Sequence, residues 1–251
     1  MPSNNAFELK ALKMAREYGK NLLLITAFTI LCMGCSNDEP SPEQTTVNAL
    51  FVNALHDEPI ISIMQNGEEL FFGLGFKEST SYLSIDLEDR KTLITIMANG
   101  VDIERELQLF GEFNSIFLGN TLGDVQIFSA TDEITEEFID TFTNSLNFSM
   151  RLVNLSLGVG TVSLRTSGVP FGPDTENGLF GQIKAYAPFP HETGLPWTIE
   201  VRNTEDELIL VSRQEFEQGK TYTLFTTGFL NDSPGLDLTN LGHSDAYEQS
   251  P

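Results

Sequence analysis

Between residues 47 and 230, short apolar runs alternate with turn residues, and the spacing is that of strands rather than helices. In "IISIMQNGEELFF", β-branched and large apolar side chains flank Asn66-Gly67, a pair suited to the positive φ angles of a tight hairpin turn. "TLITIM" (92–97), "WTIEV" (197–201) and "TYTLFTT" (221–227) are rich in the residues that pack well on a pleated, half-buried surface. Strands this short, separated by turn residues, predict antiparallel β-sandwiches. Helical spacing is confined to "TDEITEEFIDTFTNSL", where Ile134, Phe138, Phe142 and Leu146 recur every fourth residue. Asp132, Glu133, Glu136 and Glu137 crowd its start, where negative charge suits the helix dipole. The spacing predicts a short acidic helix over 132–146, with an irregular linker as the alternative.

The pattern also repeats. "FVNALHDEPIISIMQNG" (51–67) aligns without a gap on "LVNLSLGVGTVSLRTSG" (152–168), so that Val52 and Asn53 fall on Val153 and Asn154. Farther on, "GEFNSIF" (111–117) matches "GKTYTLF" (219–225), and Tyr82 and Tyr186 occupy equivalent positions between these blocks. A repeat of about 100 residues points to two homologous domains rather than a solenoid, whose period is shorter. The expected division is therefore a first sandwich over 47–131, the acidic linker 132–146, a second sandwich over 147–230 and a C-terminal tail over 231–251.

These blocks resemble the bacterial domain-of-unknown-function family 4397, whose marks are an opening R-x-V-N-x-S strand and a closing G-x-x-Y-T-hydrophobic-x-x-x-G strand. Arg151, Val153, Asn154 and Ser156 fit the first in copy two; Gly219, Tyr222, Thr223, Leu224 and Gly228 fit the second. Copy one departs, with Phe51 in its opening strand and Asn114 in place of the closing tyrosine. The resemblance implies tandem immunoglobulin-like sandwiches in an envelope protein, and it brings no catalytic residues with it.

The first 46 residues read differently. Lys10, Lys13, Arg16 and Lys20 precede the apolar run Leu22–Gly34, which is shorter than the ~20 residues a spanning helix needs. A basic segment, a short apolar segment and a small residue before the break are the parts of a secretory signal, and Met14 is an alternative start to Met1. "LCMGC" resembles a bacterial lipobox, in which the cysteine sulfur receives diacylglycerol and the signal, here 1–34, is removed. It departs from the usual pattern in having Cys32 where leucine is expected and Met33 where a small residue is more common. Cys35 is the expected lipidation site, with palmitate among the usual acyl groups. Lipidation also explains why no further cysteine follows. The next residues, "SNDEP", resemble the acidic export signal of bacteroidete-type outer-membrane lipoproteins, and 35–46 as a whole is too polar to offset its ordering entropy, which predicts a flexible tether.

Charge narrows the partners. The chain carries −22 at neutral pH, a field that repels phosphate backbones and disfavours nucleic-acid binding. Candidate chemistry is sparse. His56, His191 and His243 are isolated, without the spacing that sets two imidazoles on one helical face. There is no G-x-S-x-G elbow and no phosphate-cradling glycine loop. "DLEDR" (86–90) and "NDSPGLDL" (231–238) could lend ligands to a surface calcium, although solvated turns account for both. Neither a metal nor a cofactor is expected.

One stretch differs: "YAPFPHETGLPW" (186–197) sets Tyr186, Phe189 and Trp197 among prolines and His191. Exposed rings on a stiff backbone would suit a glycan or an envelope protein, with Phe189, His191 and Trp197 as contact residues. The competing reading buries Tyr186 and Trp197 in the second sandwich. Taken together, the sequence predicts an all-β, lipid-anchored protein of the outer membrane and cell surface, a non-enzymatic binding, adhesion or spacer module. The alternative is an accessory glycan-capture lipoprotein of an uptake system.

Overall fold

The computed structural model describes residues 44–57, 59–132, 147–166, 169–170, 175–190 and 196–243. The leader with Cys35, residues 133–146 of the expected helix, and His191 lie outside the described residues. The described residues form one compact unit.

The first half contains eight strands, β1 (Gln44–Leu55), β2 (Ile61–Gln65), β3 (Glu68–Leu74), β4 (Leu83–Glu88), β5 (Lys91–Ala98), β6 (Val101–Gln108), β7 (Phe113–Thr121) and β8 (Asp124–Thr131). They form two layers, β3-β2-β5-β6 and β4-β1-β7-β8, joined where Glu88 pairs with Lys91 at the β4–β5 hairpin. The second half repeats these pairings except the β4–β5 link, so that its two layers are separate sheets. Its strands are β9 (Asn147–Asn154), β10 (Ser163–Thr166), β11 (Val169–Pro170), β12 (Ala187–Pro190), β13 (Trp197–Arg202), β14 (Leu208–Gln214), β15 (Thr221–Thr227) and β16 (Asp237–Gly242). The layers are β11-β10-β13-β14 and β12-β9-β15-β16.

The architecture is all-β sandwich, with two departures from a purely antiparallel immunoglobulin arrangement. β1 pairs in parallel with β7, and β9 with β15, so the layer containing each pair is mixed. The strand order also differs from the ABED/CFG order of immunoglobulin domains. Residues 231–243, expected as part of a tail, instead reach and build β16, which pairs along the whole of β15. β1 likewise starts at Gln44, inside the stretch expected as tether.

Strand alternation supplies two cores. Ile61, Ile63, Ile85, Ile94, Ile96, Ile116 and Leu118 meet inside the first sandwich, and Phe148, Met150, Leu152, Leu164, Ile199, Val201 and Leu224 inside the second. The parallel pairs are buried on both faces. Leu50, Val52 and Ala54 of β1 and Phe117 of β7 point away from the first core and pack on Val153 of β9, Leu155 just beyond it and Phe225 of β15, forming a third core between the halves. This is why each of these strands has adjacent apolar residues without alternation, at 49–52, 116–118, 152–153 and 224–225, as parallel strands covered on both sides do.

The motif residues do local work that explains the repeat. Asn53 Nδ2 donates to the carbonyls of Pro59 and Leu74, and its Oδ1 accepts from Leu55 N. Asn154 does the same with Gly160, Gly178 and Ser156 N. Each asparagine satisfies backbone groups where its strand leaves the sheet. Gly111 and Gly219 both adopt positive φ, 74° and 75°, just before β7 and β15. The expected hairpin turn has φ 50° at Asn66 and 86° at Gly67.

Candidate functional site

Where the two halves meet, one end of the interface is polar. Asp132 and Arg151 form an ion pair at 2.5 Å whose side chains are 0% and 2% exposed. Arg151 sits on β9 and projects between the halves. Its Nε donates to Thr223 Oγ1 at 2.9 Å and its Nη1 to the Thr131 carbonyl at 3.1 Å, while its guanidinium lies 4.5 Å over the Tyr186 ring. Asp132 also accepts from Ser115 Oγ at 2.8 and 3.0 Å and from the Tyr82 hydroxyl at 2.7 Å.

His243 closes the network. Its Nδ1 lies 3.0 Å from the Tyr82 hydroxyl and its Nε2 2.7 Å from Thr223 Oγ1. The Tyr82 proton is directed to the carboxylate, so His243 Nδ1–H donates to the Tyr82 oxygen and Nε2 accepts the Thr223 hydroxyl. That pattern fits a neutral imidazole. Burial pushes the His243 pKa down to about 4, with Asp132 pulling it up and Arg151 pushing it further down.

The cluster is built from equivalent positions of the two copies. Backbone bonds from Asp132 N to Phe113 O and from His243 N to Thr221 O place Asp132 and His243 at matching points after β8 and β16. Ser115 matches Thr223, Tyr82 matches Tyr186, and Arg151 matches the buried Leu50. Phe117 and Phe225, also equivalent, meet with ring centroids 6.1 Å apart. The two halves thus bring different groups, a carboxylate, a guanidinium and an imidazole, to one interface.

Sequence reasoning did not find this cluster. The apolar period that begins just after Asp132 points only to a helix over 132–146, of which 133–146 lie outside the described residues; Asp132 itself is a buried anchor of the interface. Arg151 stood out as a motif residue, but its partner is set by tertiary packing. His56 belongs to the other end of the same interface: its Nε2 donates to the Leu155 carbonyl at 2.7 Å, its ring meets Phe229 edge-on, and burial lowers its pKa.

The expected aromatic contact residues are corrected. Phe189 lies on β12, 4% exposed, stacked with Phe148 at 5.8 Å in the second core. Alternation along β12 turns it inward, although its flanking prolines suggest a loop. Trp197 is half-buried and meets Phe148 edge-on at 5.5 Å. Neither ring forms an exposed platform, and His191 lies outside the described residues.

An open cleft of about 520 Å³ lies beside the β4–β5 hairpin, lined by Thr46, Asp86, Glu88, Asp89, Lys91 and Glu106, among others. It contains the "DLEDR" stretch, where Asp89 and Arg90 have φ of 51° and 65° in a tight turn. Thr46 bonds Asp86 and Lys91 bonds Glu106. Among the described residues, no three His, Cys, Asp or Glu side chains gather as metal ligands. No helix among them is long and apolar enough to cross a membrane. No protein-family model and no curated protein matches the chain, so the resemblance to family 4397 rests on its motif residues.

Proposed function

We propose that this is a lipid-anchored protein of the outer membrane, held through Cys35, whose β unit acts as a non-enzymatic binding, adhesion or spacer module at the cell surface. The anchor is supported by the sequence: a basic segment, a short apolar run, Gly34-Cys35, and an acidic stretch leading into β1. Acyl chains contribute about 0.8 kcal/mol per buried methylene, so two or three of them make a firm attachment.

The observation that carries the non-enzymatic reading is the state of the converging titratable groups. Asp132 and Arg151 bind each other out of reach of solvent, Ser115 adds a bond to Asp132, and the buried His243 is linked to the pair through Tyr82 and Thr223. Such a set holds two sheets together and presents no group to a substrate. The partners this reading implies are the membrane, through the anchor, and a glycan or an envelope protein, with nucleic acid disfavoured by charge. Glycan capture loses its main support with Phe189 in the core.

The test is metabolic labelling with an alkyne-bearing palmitate analogue. Label should appear on the wild-type protein in the membrane fraction, and Cys35→Ser should lose both label and membrane retention. An unacylated protein released freely to the medium would contradict the anchor.

A further inference from the structure

The outward faces of the two outer sheets occupy equivalent positions and carry different chemistry. In the second half, pairing registers set Arg165 beside Glu200 and Ser163 beside Arg202, and Arg202 binds Glu200 at 2.8 Å. The same registers in the first half set Met64 beside Thr95 and Ser62 beside Met97. The sandwich therefore does not require apolar side chains at these positions; the second copy holds them with arginines.

The first half nonetheless exposes an apolar stripe there. Ile61, Ile63, Ile94 and Ile96 point into the core, so alternation turns Ile60, Met64, Leu93 and Met97 outward, joined by Phe72 from β3. Ile60 and Phe72 are 68% and 75% exposed. Contiguous exposed apolar surface on a soluble domain marks an interaction site, and methionine adapts to varied partners.

The stripe has an acidic border. Asp102, Glu104 and Glu106 of β6 stand opposite Met97, Thr95 and Leu93, and Glu69 flanks Met64 from β3. Among the described residues Glu106 is paired with Lys91, whereas Asp102, Glu104 and Glu69 make no ion pair. The matching border positions of the second half are Leu208 and Val211 on β14, opposite Arg202 and Glu200.

We infer that the outward face of β3-β2-β5-β6 docks a cationic, apolar segment of a partner protein, one in which aliphatic side chains alternate with Lys or Arg. The apolar side chains cover Phe72, Met64 and Met97, while the cations meet Asp102, Glu104 and Glu69. Charge complementarity of this kind sets specificity and on-rate. An anionic lipid surface is disfavoured by the same carboxylates. The inference rests on the binding-module reading and adds the partner's chemistry.

The test uses the full chain carrying Cys35→Ser, isotopically labelled at methionine methyls, with the peptide KLKLKLK as probe and ELELELE as control. The Met64 and Met97 signals should shift with the cationic peptide, while Met150, buried in the second core, should not. Phe72→Thr with Met97→Thr leaves the charge unchanged and should weaken binding at least tenfold; Asp102→Asn with Glu104→Gln should weaken it and flatten its salt dependence. Undiminished binding by the threonine variant would overturn the inference, because attraction would then come from overall charge. So would immobile Met64 and Met97 signals, or their response to phosphatidylglycerol vesicles in place of the peptide. Failure here leaves palmitate labelling of Cys35 intact, so the two readings fail separately.

Discussion

At the scale of single residues, the interface depends on an ion pair that water does not reach. Breaking one side of a buried pair leaves the other charge uncompensated, at a cost of about 3–5 kcal/mol. Asp132→Asn should cost about that much in urea unfolding. Adding Arg151→Leu, the residue type the first copy uses at this position, should recover a substantial part of the loss. A double variant as unstable as the sum of the two single variants would deny the coupling. His243 gives the interface a pH dependence. Its folded pKa lies near 4, below the ordinary 6.5, so between those values the unfolded chain binds more protons than the folded one. Stability is therefore fully present above about pH 6.5 and declines as pH falls toward 4, by roughly 3 kcal/mol from this group. His243→Gln should flatten the slope of stability against pH in that window. An unchanged slope would assign the dependence to other groups.

At the scale of elements, much was legible because the signals are local. Asn66-Gly67 announced its hairpin, and the strand-like composition of 92–97, 197–201 and 221–227 located β5, β13 and β15. The V-N motif marked two asparagines that make the same backbone bonds in both copies, with Asn154 also accepting from the Ser156 and Thr226 hydroxyls. Asn53→Ala and Asn154→Ala should each cost about 1–3 kcal/mol, since each leaves two buried carbonyls and an N–H without its side-chain partner. Asn154→Ala should be the costlier of the two, because it also leaves two hydroxyls without their acceptor; a larger loss at Asn53 would contradict this. Tyr222 adds a corner to β15 by accepting Glu217 N at 2.8 Å, a bond that Asn114 cannot copy in the first half. What was not legible depends on distance through space. "APFP" looks like a loop by its prolines, yet as the edge strand β12 it tolerates them and buries Phe189. The acidic and apolar spacing around Asp132 gives no sign that Arg151 waits for its carboxylate.

At the scale of the whole molecule, the two halves form one mechanical body, fused by the third core and its polar end. Gly181 shows how close the fit is: a Cβ there would come within 2.1 Å of Phe128 Cε1 from the other half. A fused pair of sandwiches suits a module that presents its outer faces at fixed spacing. The chain's one tryptophan, Trp197, reports on the second half alone. The most direct test follows unfolding in urea by Trp197 fluorescence and by amide exchange in β2 and β5 of the first half. One shared midpoint is expected, moving together for both probes in Asp132→Asn. Two separate midpoints in the wild-type protein, or a shift confined to one half, would contradict the account.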